Sequence, residues 1–125
     1  MVIEIDQNSP IPIYTQLINQ IKKAIVIGEL LNGEMLPSVR SLAGDLGVNM
    51  HTVNKAYNFL TEEGILVKSQ RGYTIERAAE LPQEFEEDMQ LRMEELLVDL
   101  FIHDIPVEKD QEWLQSAANK LKKEW

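Results

Sequence analysis

The tightest constraint on this chain is a pair of short helical repeats hinged on one glycine, followed at once by an alternating segment. Val39, Leu42, Ala43 and Leu46 recur at a spacing that only a helix can gather on one face. Ser38 stands where an N-cap oxygen is needed. Gly47 can take the left-handed conformation that ends this helix and turns the chain, and Val48 would plug the gap between the two helices. Asn49 can cap a second helix, expected over 50–63, with Val53, Ala56, Tyr57 and Leu60 inward and Gly64 as its stop. Beyond it, ILVKSQRGYTI alternates well enough for two strands round a tight turn at Arg71-Gly72. Ile65 and Val67 are expected to face one way, with Tyr73 and Ile75 beginning the return. Such a hairpin cannot stand alone and must pack on the helices. Helix, turn, helix and hairpin in this order make a winged helix-turn-helix, a fold that inserts its second helix into a DNA major groove.

The flanks complete that domain and then depart from it. Residues 1–11 form a short lead in which Val2, Ile3 and Ile5 partly alternate. Pro12 suits the first turn of a helix. Tyr14, Leu17, Ile18, Ile21 and Ile25 then form a core stripe that runs up to Gly28. Gly28, Gly33 and Pro37 mark a turn region, with Met35 and Leu36 expected to tuck under the domain. Around Leu81-Pro82 the composition shifts. An acidic helix over 83–103 carries Phe85, Met89, Met93, Leu96, Leu97, Leu100 and Phe101 along one side. After a break at Pro106, a last helix over about 108–124 displays Trp113, Leu114, Ala117, Ala118 and Leu121, with Trp125 at the terminus. The expected architecture is mainly α with a small β-hairpin wing. Residues 1–80 make the winged helix-turn-helix domain, and 81–125 a two-helix dimerisation region. Two broad apolar stripes with almost no third element to cover them call for the same pair in a second subunit. Covering the chain's own first domain is the competing use of that surface.

Composition narrows the classes further. At 125 residues the chain is one domain, or one small domain with an appendage. No uninterrupted run of about 18 apolar residues exists to span a membrane. MVIEIDQNSP has neither a basic leader nor an apolar signal core, so cytoplasmic residence is expected. The absence of cysteine removes disulfides and thiolate metal sites. His51 and His103 have no metal-binding pattern around them, and Glu84, Glu86, Glu87 and Asp88 lack the spacing of a cation site. Neither a metal nor a cofactor is expected. A net charge of −9 opposes contact with phosphates, but it is unevenly spread. Residues 1–80 hold seven Lys/Arg against nine Asp/Glu, and residues 81–125 five against twelve. The negative excess therefore lies mostly outside the expected DNA-binding domain.

Within the second helix of the pair, the positions free of core duty are Asn49, Met50, His51, Thr52, Asn54, Lys55 and Asn58. Asn49 can cap, touch DNA or do both; Thr52 can donate to a phosphate or cap the helix. His51 can donate to guanine N7 or a phosphate, or stand exposed as a spectator. Met50 offers only an apolar contact, of the kind a thymine methyl accepts. Asn54 is sited for a base edge or for solvent, and Lys55 for a phosphate or as plain surface charge. Arg40 lies off the apolar side of its helix and can reach the backbone or a base. Arg71 at the hairpin tip suits the minor groove or a nearby phosphate, assisted by Lys68 and Gln70. For Lys22, Lys23 and Arg77 a solvated face is the better reading.

Segment by segment, residues 10–76 resemble the GntR family of bacterial transcription regulators. The resemblance rests on PIYTQL (12–17), IGELLNGEMLPSVRSLAGDLGV (27–48), NMHTVNKAYNFLTEEG (49–64) and RGYTI (71–75) in that order. The short two-helix C-terminal part is similar to the YtrA-type subfamily, which lacks the large effector domains of many GntR relatives. The resemblance implies a homodimer on a palindromic operator in double-stranded DNA, often repressing its own operon together with genes for an ABC transport system. It places DNA contacts on Ser38, Arg40, Asn49, His51, Thr52 and the wing at Arg71-Gly72. Two positions depart from the family pattern. Met50 stands where Arg or Pro is frequent, and Gln70-Arg71-Gly72 replaces a glycine–basic–glycine wing.

Other classes are poorer fits. A nucleophile–base pair or phosphate loop is not apparent, so catalysis is not expected. A protein-interaction module built on the same scaffold is the runner-up, favoured by the overall acidity. A small effector enclosed by Phe85, Met89, Met93, Phe101 and Trp113 is a further use of the apolar stripes, for which plain core is the simpler account.

Overall fold

A computed structural model of the chain describes residues 2–123. The elements run α1 (Ile13–Val26), α2 (Val39–Leu46), α3 (Met50–Glu62), β1 (Leu66–Ser69), β2 (Gly72–Ile75), α4 (Phe85–Ile102) and α5 (Val107–Lys123). They fall into two compact units, Met1–Ala79 and Glu80–Trp125. The class is the expected one, mainly helical with a single antiparallel hairpin.

In the first unit, Pro12 occupies the N-cap of α1, one place ahead of the expected first turn, and its carbonyl accepts from Gln16 N–H at 3.0 Å. The lead is fastened to α1 by two glutamines one turn apart. Gln20 Oε1 accepts from Glu4 N–H at 2.8 Å, and Gln16 Oε1 from Asp6 N–H at 3.0 Å. Their amide groups donate back to the carbonyls of Glu4 and Asp6. The lead thus gains the main-chain partners a neighbouring strand would give it, and Ile3 packs on the core.

The core gathers the expected stripe of α1 with Leu42 and Ala43 of α2 and the inward face of α3. Tyr57 lies at its centre and is fully buried. Its hydroxyl donates to the Pro37 carbonyl at 2.9 Å, and its ring meets that of Tyr73 edge-on, with centroids 4.9 Å apart. One side chain therefore joins α3, the approach to α2 and the wing.

The wing differs from expectation in phase. Leu66 pairs with Ile75, and both are buried, whereas Val67 turns outward and is 43% exposed. Three consecutive apolar residues, Ile65 to Val67, leave the phase of β1 ambiguous by one. Cross-strand burial with Tyr73 and Ile75 decides it. The turn proper is Gln70-Arg71, and Gly72 already opens β2. Met35 does not tuck under the domain: its side chain is half exposed, and it is the backbone that is used. Leu36 N–H donates to Tyr73 O at 2.8 Å, Ile75 N–H to Glu34 O at 2.8 Å, and Met35 bridges Thr74. Residues 33–36 therefore line the far edge of β2 as a third strand in all but length. Leu36 is buried as expected.

In the second unit α4 begins at Phe85, two residues later than expected, because Glu84 turns left-handed with φ 64°. Glu86, Glu87 and Asp88 fill its first turn, where carboxylates oppose the helix dipole favourably. Met89, Leu97 and Leu100 are half-buried, while Phe85, Met93, Leu96 and Phe101 stay exposed. The apolar side chains are not confined to one side, however. Leu91, Val98 and Ile102 make a second exposed stripe, spaced by seven and four. On α5, Trp113, Leu114, Ala117 and Leu121 are exposed and Ala118 is half-buried. Trp125 and the expected helix end at 124 lie outside the described residues.

Removing the Tyr57 hydroxyl leaves the Pro37 carbonyl without that donor. Tyr57→Phe is expected to lower stability by about 1–2 kcal/mol in urea melts at neutral pH. Burial, and secondarily the neighbouring Tyr73 phenol, push the Tyr57 phenol well above its ordinary range. The unfolded phenol ionises near ~10. Its contribution is therefore full below that pH and is lost as pH rises further. Melts from pH 7 to 11 should show a steeper alkaline loss in the wild type than in Tyr57→Phe.

Candidate nucleic-acid interface

The two caps of the helix pair form as their residue types require. Ser38 Oγ accepts from Ser41 N–H at 3.1 Å, and Asn49 Oδ1 from His51 N–H at 2.7 Å. Gly47 supplies the left-handed joint with φ 68°. Using the oxygen of Asn49 leaves its amide N–H groups pointing outside the helix ladder, so capping and donation to a ligand are compatible. The Ser38 hydroxyl likewise keeps its proton for another acceptor.

With Val53, Ala56, Tyr57 and Leu60 buried, the opposite face of α3 is left to His51, Asn54, Lys55 and Asn58, all exposed. Thr52 is half-buried. Met50, the first residue of the helix, is 44% exposed despite its apolar side chain. His51, Asn54, Lys55 and Asn58 share one shallow recess with Tyr14, Phe59 and Glu62. Asn58 is partly committed, since its Oδ1 accepts from the Tyr73 hydroxyl at 2.9 Å and ties α3 to β2. Lys55 leans over the Tyr14 ring, its Nζ 4.6 Å from the centroid.

Arg40 is exposed in the first turn of α2. In the wing, Lys68, Gln70 and Arg71 are exposed, and Lys68 Nζ lies 5.7 Å above the Tyr73 ring. Arg71 N–H donates to Ser69 Oγ at 3.2 Å, bracing the turn. The positive backbone angle falls on Gly72, φ 130°, while Gln70 and Arg71 keep negative φ. Glutamine in place of a first wing glycine therefore costs no backbone strain.

Charge is distributed to match. From Met35 to Ile75 the acidic residues are Asp45, Glu62 and Glu63, at the trailing ends of α2 and α3, against Arg40, Lys55, Lys68 and Arg71. Glu63 is paired with Lys22 at 2.8 Å. The leading turns of both helices and the whole hairpin carry no carboxylate. Lys22 thus serves α3 rather than a solvated face, and Arg77 donates to Ile25 O at 3.4 Å. Sequence reasoning missed Tyr14 as a neighbour of Lys55. The available signal was the aromatic pair Tyr14 and Phe59, which meet edge-on at 6.1 Å.

Among the described residues, no group of three or more His, Asp or Glu gathers as a metal site, and no helix is long and apolar enough to cross a membrane.

Asn49→Ala should cost about 0.5–2 kcal/mol by urea melt from the lost cap, and Asn49→Asp should cost close to nothing. Equal losses for the two variants would show that the cap is not what Asn49 contributes to stability.

Residues 13–75 match the pattern of the bacterial regulatory proteins of the gntR family. The chain is 34% identical over 124 residues to the HTH-type transcriptional repressor YtrA of Bacillus subtilis, covering 97% of this chain and 95% of that one. Among solved structures, YtrA from Sulfolobus acidocaldarius, a GntR-family transcription factor, is 41% identical with a TM-score of 0.67, over 78% of this chain and 99% of that one. A transcriptional antiterminator from Listeria monocytogenes EGD-e superposes with a TM-score of 0.90 at 26% identity, over 98% of this chain and 93% of its own.

Proposed function

The chain belongs to the GntR family of bacterial regulators, in its YtrA-type subfamily, and on that premise we propose that it is a homodimeric repressor acting on a palindromic operator in its own operon. It is a sequence-specific DNA-binding regulator of a family whose members are not catalysts. The observation that carries its DNA-reading role is the leading half of α3. His51, Asn54 and Lys55 are exposed there, Val53 and Ala56 are buried beneath them, and no carboxylate interrupts it.

In this reading α3 enters the major groove by its first turns. Asn49, Met50, His51, Thr52 and Asn54 face base edges or the adjoining phosphates, and Ser38, Arg40 and Lys55 meet the backbone or a flanking base. Arg71, with Lys68, Gln70 and the close-lying Gly72, reaches the neighbouring groove. The second copy docks through α4 and α5, where Phe85, Met93, Leu96, Phe101, Trp113, Leu114 and Leu121 leave apolar surface in water within one chain. Met89, Leu97, Leu100 and Ala117 complete that face. The pairing sets the distance between two half-sites, a turn or more apart. Repression follows from occupying the promoter. A genomic setting beside an ABC transport operon suits the YtrA-type resemblance but is a matter for the operator search.

A fluorescence anisotropy titration against duplexes from the region upstream of the chain's own gene, at about 0.15 M salt with a scrambled control, tests the reading. Saturation at two subunits per specific site is expected. Binding no tighter than to the scrambled duplex would move the search to other genomic fragments, and failure there would leave a protein-interaction role in the lead. Arg40→Ala and Arg71→Ala should each weaken binding, by about 1–3 kcal/mol for a base contact. A contact to phosphate alone would instead reduce the salt dependence by about one ion. Binding unchanged in both variants would refute these assignments. Charged replacements of Leu97 and Leu100 should give monomers in sedimentation, and a soluble unchanged dimer would mean that another surface pairs the subunits.

A further inference from the structure

Two lysines lie over aromatic rings beside α3, and their circumstances differ. Lys22 Nζ is 5.5 Å from the Phe59 centroid, but Glu63 at 2.8 Å neutralises it. Lys55 Nζ is 4.6 Å from the Tyr14 centroid, and among the described residues no salt bridge joins it to a carboxylate. A ring quadrupole attracts a cation without cancelling its charge. A lysine held this way gives up rotamer freedom before its ligand arrives and keeps its full charge for it. The Tyr14 ring is itself braced edge-on by Phe59 at 6.1 Å and packed on the core. Lys55 lies on the same outward face of α3 as His51 and Asn58.

We propose that Tyr14 is a positioning residue of the nucleic-acid interface: its ring holds the Lys55 ammonium ready for a DNA phosphate flanking the groove that α3 enters. The proposal rests on the DNA-reading role of α3 and adds a part for α1. The hydroxyl of Tyr14 is not required; the ring face is. Lys55 supplies the contact, and Tyr14 lowers the ordering cost of making it.

The test is a double-mutant cycle on the full chain, read by anisotropy on both a specific duplex and a scrambled one at low salt, since a phosphate contact serves both. Tyr14→Leu should weaken binding about two- to fivefold in the wild-type background and leave it unchanged in Lys55→Ala. Tyr14→Phe should bind like the wild type. Lys55→Ala should lower the salt slope by about one ion. In the free protein, the Lys55 side-chain methylene protons should resonate upfield and lose that shift in Tyr14→Leu, a readout independent of DNA. An equal penalty for Tyr14→Leu in both backgrounds would overturn the proposal, as would a Tyr14→Phe defect as large as that of Tyr14→Leu. Should Tyr14→Leu fail to fold, Tyr14→Trp decides: a stronger ring face should match or exceed wild-type affinity, and a loss would count against the idea. Loss of preference for the specific duplex, with the cycle intact on scrambled DNA, would sink the repressor reading and leave this one standing.

Discussion

The first unit depends on the burial of one amphipathic ring. Tyr57 has an apolar body that the core of three helices can enclose and a hydroxyl that burial would penalise if left alone. The Pro37 carbonyl answers that hydroxyl, and proline cannot continue a helix, so the bond fixes where the chain must turn before α2. The ring edge then sets the depth of Tyr73, and through Tyr73 the height of the wing above α3. The exposed residues of α2, α3 and the hairpin are thus referred to one buried point. A reading surface assembled from three elements needs such a common origin, because small displacements between them would spoil simultaneous contact with a duplex.

Much of this was legible in the sequence wherever a local rule had no rival. Ser38, Gly47 and Asn49 act as their residue types dictate, and the inward faces of α1 and α3 follow from period alone. Difficulty arose where two phases fitted equally. Ile65, Leu66 and Val67 are all apolar, and only pairing with Tyr73 and Ile75 selects Leu66. Met35 looked like a buried residue because it is apolar, yet its segment is held by backbone hydrogen bonds to β2, which leave no trace in side-chain pattern. The clasp formed by Gln16 and Gln20 is invisible for the same reason, since it binds peptide groups of the lead and is indifferent to what those residues are. On α4 the reading found one apolar side and missed Leu91, Val98 and Ile102, because ten large apolar residues on one helix leave periodicity weakly defined.

The acidity of the whole chain and its affinity for a polyanion are reconciled by placement rather than by amount. The carboxylates between Met35 and Ile75 stand at the ends of α2 and α3 remote from their leading turns, and Glu63 among them is matched by Lys22. Few cations then stand on the leading turns and the hairpin, and each matters more. So little charge to spare leaves shape and hydrogen bonding a larger share of recognition than counterion release.

The two turn residues of the hairpin keep ordinary backbone angles, and the one demanding position has passed to Gly72. Stereochemistry therefore sets no quota on what stands at 70 and 71. Side chains there can be exchanged without disturbing the strand register beneath them, so over evolutionary time the chemistry of the tip can drift while the scaffold stays still.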